Sequence, residues 1–283
     1  MKREDTLNDI SSKYSNLSKG HKKLADYVIA NYDKVIFMTV HEFSKSVGVS
    51  ESTVVRFAHS LGYSGYPSFQ KNLQESIQYR LTSLQRFEHL SEHEDEKNVI
   101  KDIMVKDINN IQKTINNLNV EKLKEIAKKI KAAETVYILG FRSSKVLAEY
   151  LTFYLKFIHG NVKIIPVGAN DIYDEIINTT TRDLVIAISF PRYSRQTLEI
   201  VKMLRDKKIA VLGLTDSYNS PIADNVSEIL TVNYEIETFV DSLTAPMSLI
   251  NALIIALSLD NKKTLENKFN ELESIWEKHN IYL

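Results

Sequence analysis

"VGVSESTVVRF", residues 47–57, decides how the first part of the chain is read. Counting from Val40, apolar residues fall at Phe43, Val47, Val49, Val54 and Phe57, with Gly48 between two valines. A helix-turn-helix needs that set. Small or apolar residues lock two helices at a steep angle, and glycine supplies the positive φ between them. Ser50 suits the cap of a second helix running to about Leu61, where Gly62 stops it. Ser50, Glu51, Ser52, Thr53, Arg56, His59 and Ser60 then lie at the start and outer face of that helix. In this geometry its amino-terminal end enters the major groove of DNA. Arg56 suits a guanine edge or a phosphate, and the hydroxyls suit phosphates or bases. A carboxylate at Glu51 is repelled by phosphates, yet it favours the helix dipole and can accept from cytosine. The same apolar spacing also serves a helical hairpin that packs and does nothing else. The polar outer face and nearby lysines favour DNA, with Ser50, Ser52, Thr53, Arg56 and His59 as the contact set.

Outward from this stretch, residues 1–77 read as wholly helical. Leu17, Leu24, Tyr27, Val28 and Tyr32 form a helical stripe with lysines elsewhere. Thr39 and Glu42 fit a capping box opening a short helix through about Ser46, and Pro67 fits the first turn of another. Residues 78–105 are more charged and read as a helical linker. From about 106 to 132, Ile108, Ile111, Ile115, Leu118, Leu123, Ile126 and Ile130 continue a helical pattern. The period then changes to short β-rich runs: "TVYILGF", "VKIIPV", "DLVIAISF", "IAVLGLTD" and "SEILTV". Runs without alternation mark strands buried on both faces, as in a parallel sheet between helices. The expected fold is an all-α helix-turn-helix domain joined to an α/β three-layer domain with a parallel sheet over 106–283.

The bulk numbers bound this reading. At 283 residues, two domains is the expectation. Without cysteine there is no disulfide scaffold and no thiolate metal site. The amino terminus lacks the apolar segment of a signal peptide. The longest apolar run, "LINALIIAL", is about half of the ~20 residues that span a bilayer, so a cytoplasmic protein with no membrane partner is expected. A formal net charge of zero means that any DNA contact comes from a local patch.

The stretch "LSKGHKKLADYVIANYDKVIFMTVHEFSKSVGVSESTVVRFAHSLGYSGYPSFQKNL" resembles, almost end to end, the amino-terminal domain of RpiR-type bacterial transcriptional regulators. Ala25, Asp26, Tyr27, Asn31, the "GVSESTVVRF" run, Leu61, Gly62, Gly65, Tyr66 and Phe69 carry the likeness. The second half is similar to the sugar isomerase (SIS) domain that follows in that family. The family's first β-to-α loop reads G-x-G-x-S with alanine four residues on; here stand Gly140, Arg142, Ser144 and Ala148. A later loop reads S-x-S-G-x-T; here Ser194, Arg195, Gln196 and Thr197 take the last four places, about three residues further from Ser189 than usual. Ser220, Pro221 and Ala223 match a third segment.

What the resemblance implies is a DNA-binding regulator of a carbohydrate-catabolic operon. It would hold double-stranded operator DNA as a homodimer or homotetramer and sense a small anionic effector, a phosphorylated sugar or related metabolite. Arg142, Ser143, Ser144, Ser189, Arg192, Ser194, Arg195 and Thr197 are the expected effector-binding residues. Arginine where the family has glycine excludes the closest backbone approach but adds guanidinium groups suited to phosphate or carboxylate. The same arginines also suit solvated loops or subunit contacts, and the serines suit plain helix caps.

No catalytic residue, cofactor or metal is assigned. His159, Glu175 and Glu237 have the type of a general base, but no spacing singles one out. His89 and His93 stand four apart among acidic residues, a pattern that a solvated connector explains better than a metal. The enzyme alternative is a sugar-phosphate isomerase with an accessory helical domain.

Overall fold

The computed structural model describes residues 6–77, 82–91, 96–166, 171–235, 238–259 and 262–282. Parts of the 78–105 linker, Val167, His93 and Glu237 therefore lie outside the described residues, as does the side chain of His89. Two compact units are formed, residues 1–92 with 237–239 and residues 93–236 with 240–283.

The first unit is helical: α1 (Thr6–Lys13), α2 (Lys19–Ala30), α3 (Tyr32–Val35), α4 (Val40–Val47), α5 (Glu51–Ser60), α6 (Tyr66–Ile77) and α7 (Ser83–Ser91). Thr39 and Glu42 close the expected capping box in both directions. α4 then stops because Gly48 turns left-handed, with φ 71° and ψ 44°. Asn31 caps α2, so Tyr32 opens the next helix instead of ending the α2 stripe. Leu24, Phe43, Val54, Phe57, Phe69 and Leu73 are fully buried in one core. The Phe57 and Phe69 rings meet edge to face at 5.7 Å. Tyr66 anchors α6 by donating to the carbonyls of Met38 (2.8 Å) and Val35 (3.2 Å), and Gln70 of the same helix donates to Met38 as well, at 2.8 Å. Burial pushes this phenol well above its ordinary range.

The second unit holds α8 (Glu96–Asn117), α9 (Val120–Ala132), β1 (Val136–Gly140), α10 (Ser144–Ile158), β2 (Val162–Ile164), α11 (Asp171–Ile177) and β3 (Leu184–Ile188). It continues with α12 (Arg195–Asp206), β4 (Ala210–Thr215), β5 (Glu228–Thr231), α13 (Thr244–Leu259) and α14 (Lys262–Lys278). All strands run parallel in the order β2-β1-β3-β4-β5. Strand alternation divides the core into two layers. Ile138, Ile186 and Leu212 join Leu123, Leu151 and Leu253 on one face. Leu139, Val185 and Val211 join Ile172, Val201 and Leu204 on the other.

Two readings of the sequence are corrected here. The pattern over 106–132 is broken at Asn119, whose side chain accepts from the Lys122 N–H and starts α9 afresh. Ile111 packs on the core while Ile108 and Ile115 stay exposed. Burial on both faces holds for β1 and β3 and nearly for β4, but edge strand β2 leaves Lys163 and Ile164 exposed.

Candidate functional site

At the start of α5 the polar side chains are tied into one local network. The Ser50 hydroxyl caps the helix by accepting from the Thr53 N–H at 3.3 Å, and it shares hydrogen bonds with Ser52 Oγ (2.9 Å) and Thr53 Oγ1 (2.8 Å). Arg56 Nε donates back to the Ser52 carbonyl at 3.2 Å, which aims the rest of an exposed guanidinium outward. Ser50, Ser52 and Arg56 are thus brought together on the exposed first turns, with Thr53 half-buried beside them. His59 lies at the other end of α5, where Nδ1 faces the Tyr63 carbonyl at 3.0 Å; a carbonyl only accepts, so Nδ1 donates. Glu51 is held by His41 Nδ1 of α4 at 2.8 Å. His21 of α2 packs edge-on against Phe57 at 5.7 Å; burial, then the nearby Arg56 charge, holds its ring below the ordinary value of 6.5.

In the second unit, a cavity of about 90 Å³ opens beyond the carboxyl ends of β1 and β3. The strand order reverses between these two strands, which is where open α/β sheets leave a crevice. Phe141 to Ser144 line one side and Ile188 to Arg192, Ser194 and Thr197 the other, with Asp241 on the wall. Gly140 is required here: a Cβ would stand 2.6 Å from the Ser144 carbonyl oxygen, so only glycine lets α10 start so close to β1.

Two helix amino termini point partial positive charge at this cavity, that of α10 behind Ser143 and that of α12 behind Ser194. Ser194 caps α12 by accepting from the Thr197 N–H at 3.4 Å, whereas the Ser143 side chain makes no cap bond. Ser189 is 3% exposed, and its hydroxyl has no hydrogen-bond partner among the described residues. Arg142 and Arg192 add exposed guanidinium groups from a left-handed backbone, with φ of 58° and 65°. Buried hydroxyls, helix termini and cations together give the cavity the donors that a small anion needs, with the Asp241 carboxylate as a counterweight on the wall.

Arg195 departs from the sequence expectation. It is the exposed first residue of α12, it is not among the cavity-lining residues, and its φ is not positive. The glycine-like backbone falls at Arg192 instead, because the extra residues of this loop move the left-handed position. Sequence reasoning missed Asp241, and it missed Tyr193, whose hydroxyl donates to Asp216 Oδ1 at 2.7 Å. Nothing local marks either one.

The other candidates are accounted for elsewhere. His159 is built into the end of α10: Nε2 faces the Ala133 carbonyl at 3.0 Å and Nδ1 accepts from the Asn161 N–H at 3.1 Å. Glu175 pairs with Lys163. A larger groove of about 690 Å³ lies at the amino ends of β3, β4 and β5. Its charged rim is self-paired, Lys129 with Glu228 and Arg182 with Glu134, and its floor is apolar. It has none of the converging donors of the smaller cavity. Among the described residues no cluster of His, Asp and Glu could hold a metal, and no helix is long and apolar enough to cross a membrane.

Comparison with known proteins matches both units. Residues 4–80 fit the helix-turn-helix domain of the rpiR family, and residues 129–256 fit the SIS domain. An HTH-type transcriptional regulator of Haemophilus influenzae is 29% identical, over 80% of this chain and 79% of its own. The HTH-type transcriptional regulator HexR of Escherichia coli is 23% identical over 94% of each. The solved structure of the Vibrio vulnificus NanR protein complexed with ManNAc-6P shares the fold, with a TM-score of 0.59 at 20% identity over 96% of this chain and 98% of that one. The chain is an RpiR-type transcriptional regulator, an amino-terminal helix-turn-helix followed by a SIS domain.

Proposed function

We propose that this regulator controls a catabolic operon by sensing a phosphorylated sugar, or a related small anion, in the cavity between β1 and β3. Residues 1–77 bind a pseudo-palindromic operator in the cytoplasm, 78–105 connect, and 106–283 bind the effector and dimerise. The observation that carries the sensor reading is the Ser189 hydroxyl, buried with no hydrogen-bond partner among the described residues, in the lining of a cavity that Arg142, Arg192, Ser194 and Thr197 share. A buried hydroxyl without a hydrogen bond is unfavourable, so a ligand oxygen is its natural complement. ManNAc-6P bound to the similarly folded NanR is a ligand of this chemistry.

A route for the signal is built into the same unit. Asp241 lines the cavity, and its neighbour Ser242 donates to Asp107 Oδ1 of α8 at 2.5 Å. Thr244 Oγ1 donates to Asp107 Oδ2 at 2.9 Å. An anion entering beside Asp241 repels that carboxylate, and the strain reaches α8, the element that follows the DNA-binding unit in the chain. An effector alters operator affinity only through such a difference between two states. A second copy covers the exposed Val146, Phe153 and Tyr154 of α10, near the Phe157–Phe269 ring pair. That pairing presents two DNA-binding heads to two half-sites.

The test is a thermal-shift series on the full chain with hexose 6-phosphates, N-acetylhexosamine 6-phosphates and the parent sugars, paired with operator gel shifts. Stabilisation by phosphorylated compounds alone, together with altered operator affinity, supports the sensor. Equal response to the parent sugars, or no response, sinks it. Turnover of any phosphosugar restores the isomerase alternative.

A further inference from the structure

The hydroxyls at the amino-terminal end of α5 are engaged with one another and with the helix cap, and Arg56 Nε is engaged with the Ser52 carbonyl. The guanidinium of Arg56 and the carboxylate of Glu51 are the charged groups exposed there. Glu51 is the first residue of α5, and its side chain is 57% exposed. His41, at the second position of α4, takes only one of its oxygens, Oε1, at 2.8 Å. Oε2 has no partner among the described residues. A carboxylate accepts only, so His41 Nδ1 is the donor and the ring is fixed with Nε2 facing away from Glu51.

This pair resolves a contradiction. A bare carboxylate at the leading end of a recognition helix is repelled by the phosphates on either side of the groove. The His41 Nδ1–H takes up part of that charge through its hydrogen bond and orients Glu51. The remaining oxygen is then an exposed acceptor at the leading end of α5. In the major groove a carboxylate pairs with the exocyclic amine of cytosine, whereas the amine of adenine sits beside the N7 acceptor, which repels it.

We infer that Glu51, positioned by His41, reads a cytosine in the operator half-site, while Arg56 reads a guanine close by. The inference rests on α5 being the recognition helix. Glu51 and Arg56 are five residues apart, roughly 7.5 Å along the helix axis. At ~3.4 Å per base pair, that places the two contacts about two steps apart.

The experiment is selection of preferred sites from a random double-stranded library by the full-length protein and four variants, followed by competition binding at fixed salt. Wild type is expected to select a symmetric site with one invariant C·G pair set by Glu51. Glu51→Ala loses selectivity at that pair alone, with discrimination falling roughly 5- to 150-fold. Glu51→Gln switches the pair towards adenine, which glutamine grips through two hydrogen bonds. His41→Ala blurs the same pair, and His41→Gln restores it, because the amide again donates to Glu51. Melting curves identify any variant that fails to fold, and the Gln variants retain shape and polarity.

If Glu51→Ala and Glu51→Gln leave every base preference unchanged, Glu51 is only a partner of the helix dipole and the inference is wrong. If they shift a pair but His41→Ala does not, His41 has no positioning role. If folded wild type selects no sequence at all, the recognition-helix reading itself fails, and the inference fails with it.

Discussion

Arg142 and Arg192 face one cavity from two different loops, and both hold it with a left-handed backbone that favours glycine. Residues with Cβ pay about 1–2 kcal/mol for that conformation. Glycine in their place removes the strain but adds about 0.5–1 kcal/mol of unfolded-state entropy. Arg142→Gly and Arg192→Gly should therefore each raise stability, by a net amount of up to about 1.5 kcal/mol. The same changes should weaken hexose-phosphate binding. Denaturant titrations and ligand thermal shifts moving in opposite directions are the signature; a loss in both assays means that the arginines support the fold.

Ser189 should behave the same way for a different reason. Ser189→Ala removes a buried hydroxyl that has no partner among the described residues and should stabilise the free protein, or leave it unchanged, within about 1 kcal/mol. Ligand affinity should fall roughly 10- to 150-fold, the value of one lost hydrogen bond to a charged group. Calorimetry on both forms checks the pair of values, and unchanged affinity removes Ser189 from the site.

Gly48 and Gly160 form an internal control, since a Cβ at either meets nothing within 4 Å. Only Gly48 has a positive φ. Gly48→Ala should cost about 1–2 kcal/mol through backbone strain alone, whereas Gly160→Ala should be neutral or stabilise by about 0.4–1 kcal/mol. Thermal melts of the two variants read the difference. Equal effects would mean that the turn after α4 relaxes.

Arg56→Ala should weaken operator binding by about 1–3 kcal/mol and relax specificity at one base pair. The fold should not change, because the side chain is exposed and its one hydrogen bond is to its own helix. A gel shift at constant salt measures the loss. A uniform loss over all sequences with a shallower salt slope assigns Arg56 to a phosphate instead.

His21 gives the helix-turn-helix unit a pH dependence. Its folded value lies below the ordinary 6.5, so the folded unit binds fewer protons than the unfolded chain in the window between the two values. Stability from this source is complete above pH 6.5 and declines as pH falls through that window. His21→Gln should flatten the decline, as read from denaturation midpoints between pH 7.5 and 5.5. An unaltered slope assigns the effect to another group.

The features legible in the sequence were the local ones. The Thr39–Glu42 box, the Gly48 turn and the Ser50 cap each need residues only three or four apart, and all formed as read. The parallel sheet was legible because continuous apolar runs leave few other arrangements. Asp241 was not, because it reaches the cavity from a segment far along the chain from Ser189. Nor was the role of Arg192 against Arg195: a loop with inserted residues has no periodicity to fix its register. For α8, Ile108, Ile111 and Ile115 look alike in sequence, and only the position of α13 makes Ile111 the packed one.

The size of the cavity between β1 and β3 has a consequence for how such a regulator changes allegiance. About 90 Å³ admits a phosphate-sized group and falls far below the roughly 300–1,000 Å³ that encloses a drug-sized molecule. If an anion occupies it, whatever is attached to that anion lies outside the cavity. On the proposed sensor reading, the protein grips a handle common to many metabolites, and the tool on that handle is judged at the rim. Retargeting such a sensor to a new nutrient would then require only rim substitutions, with the sheet left intact.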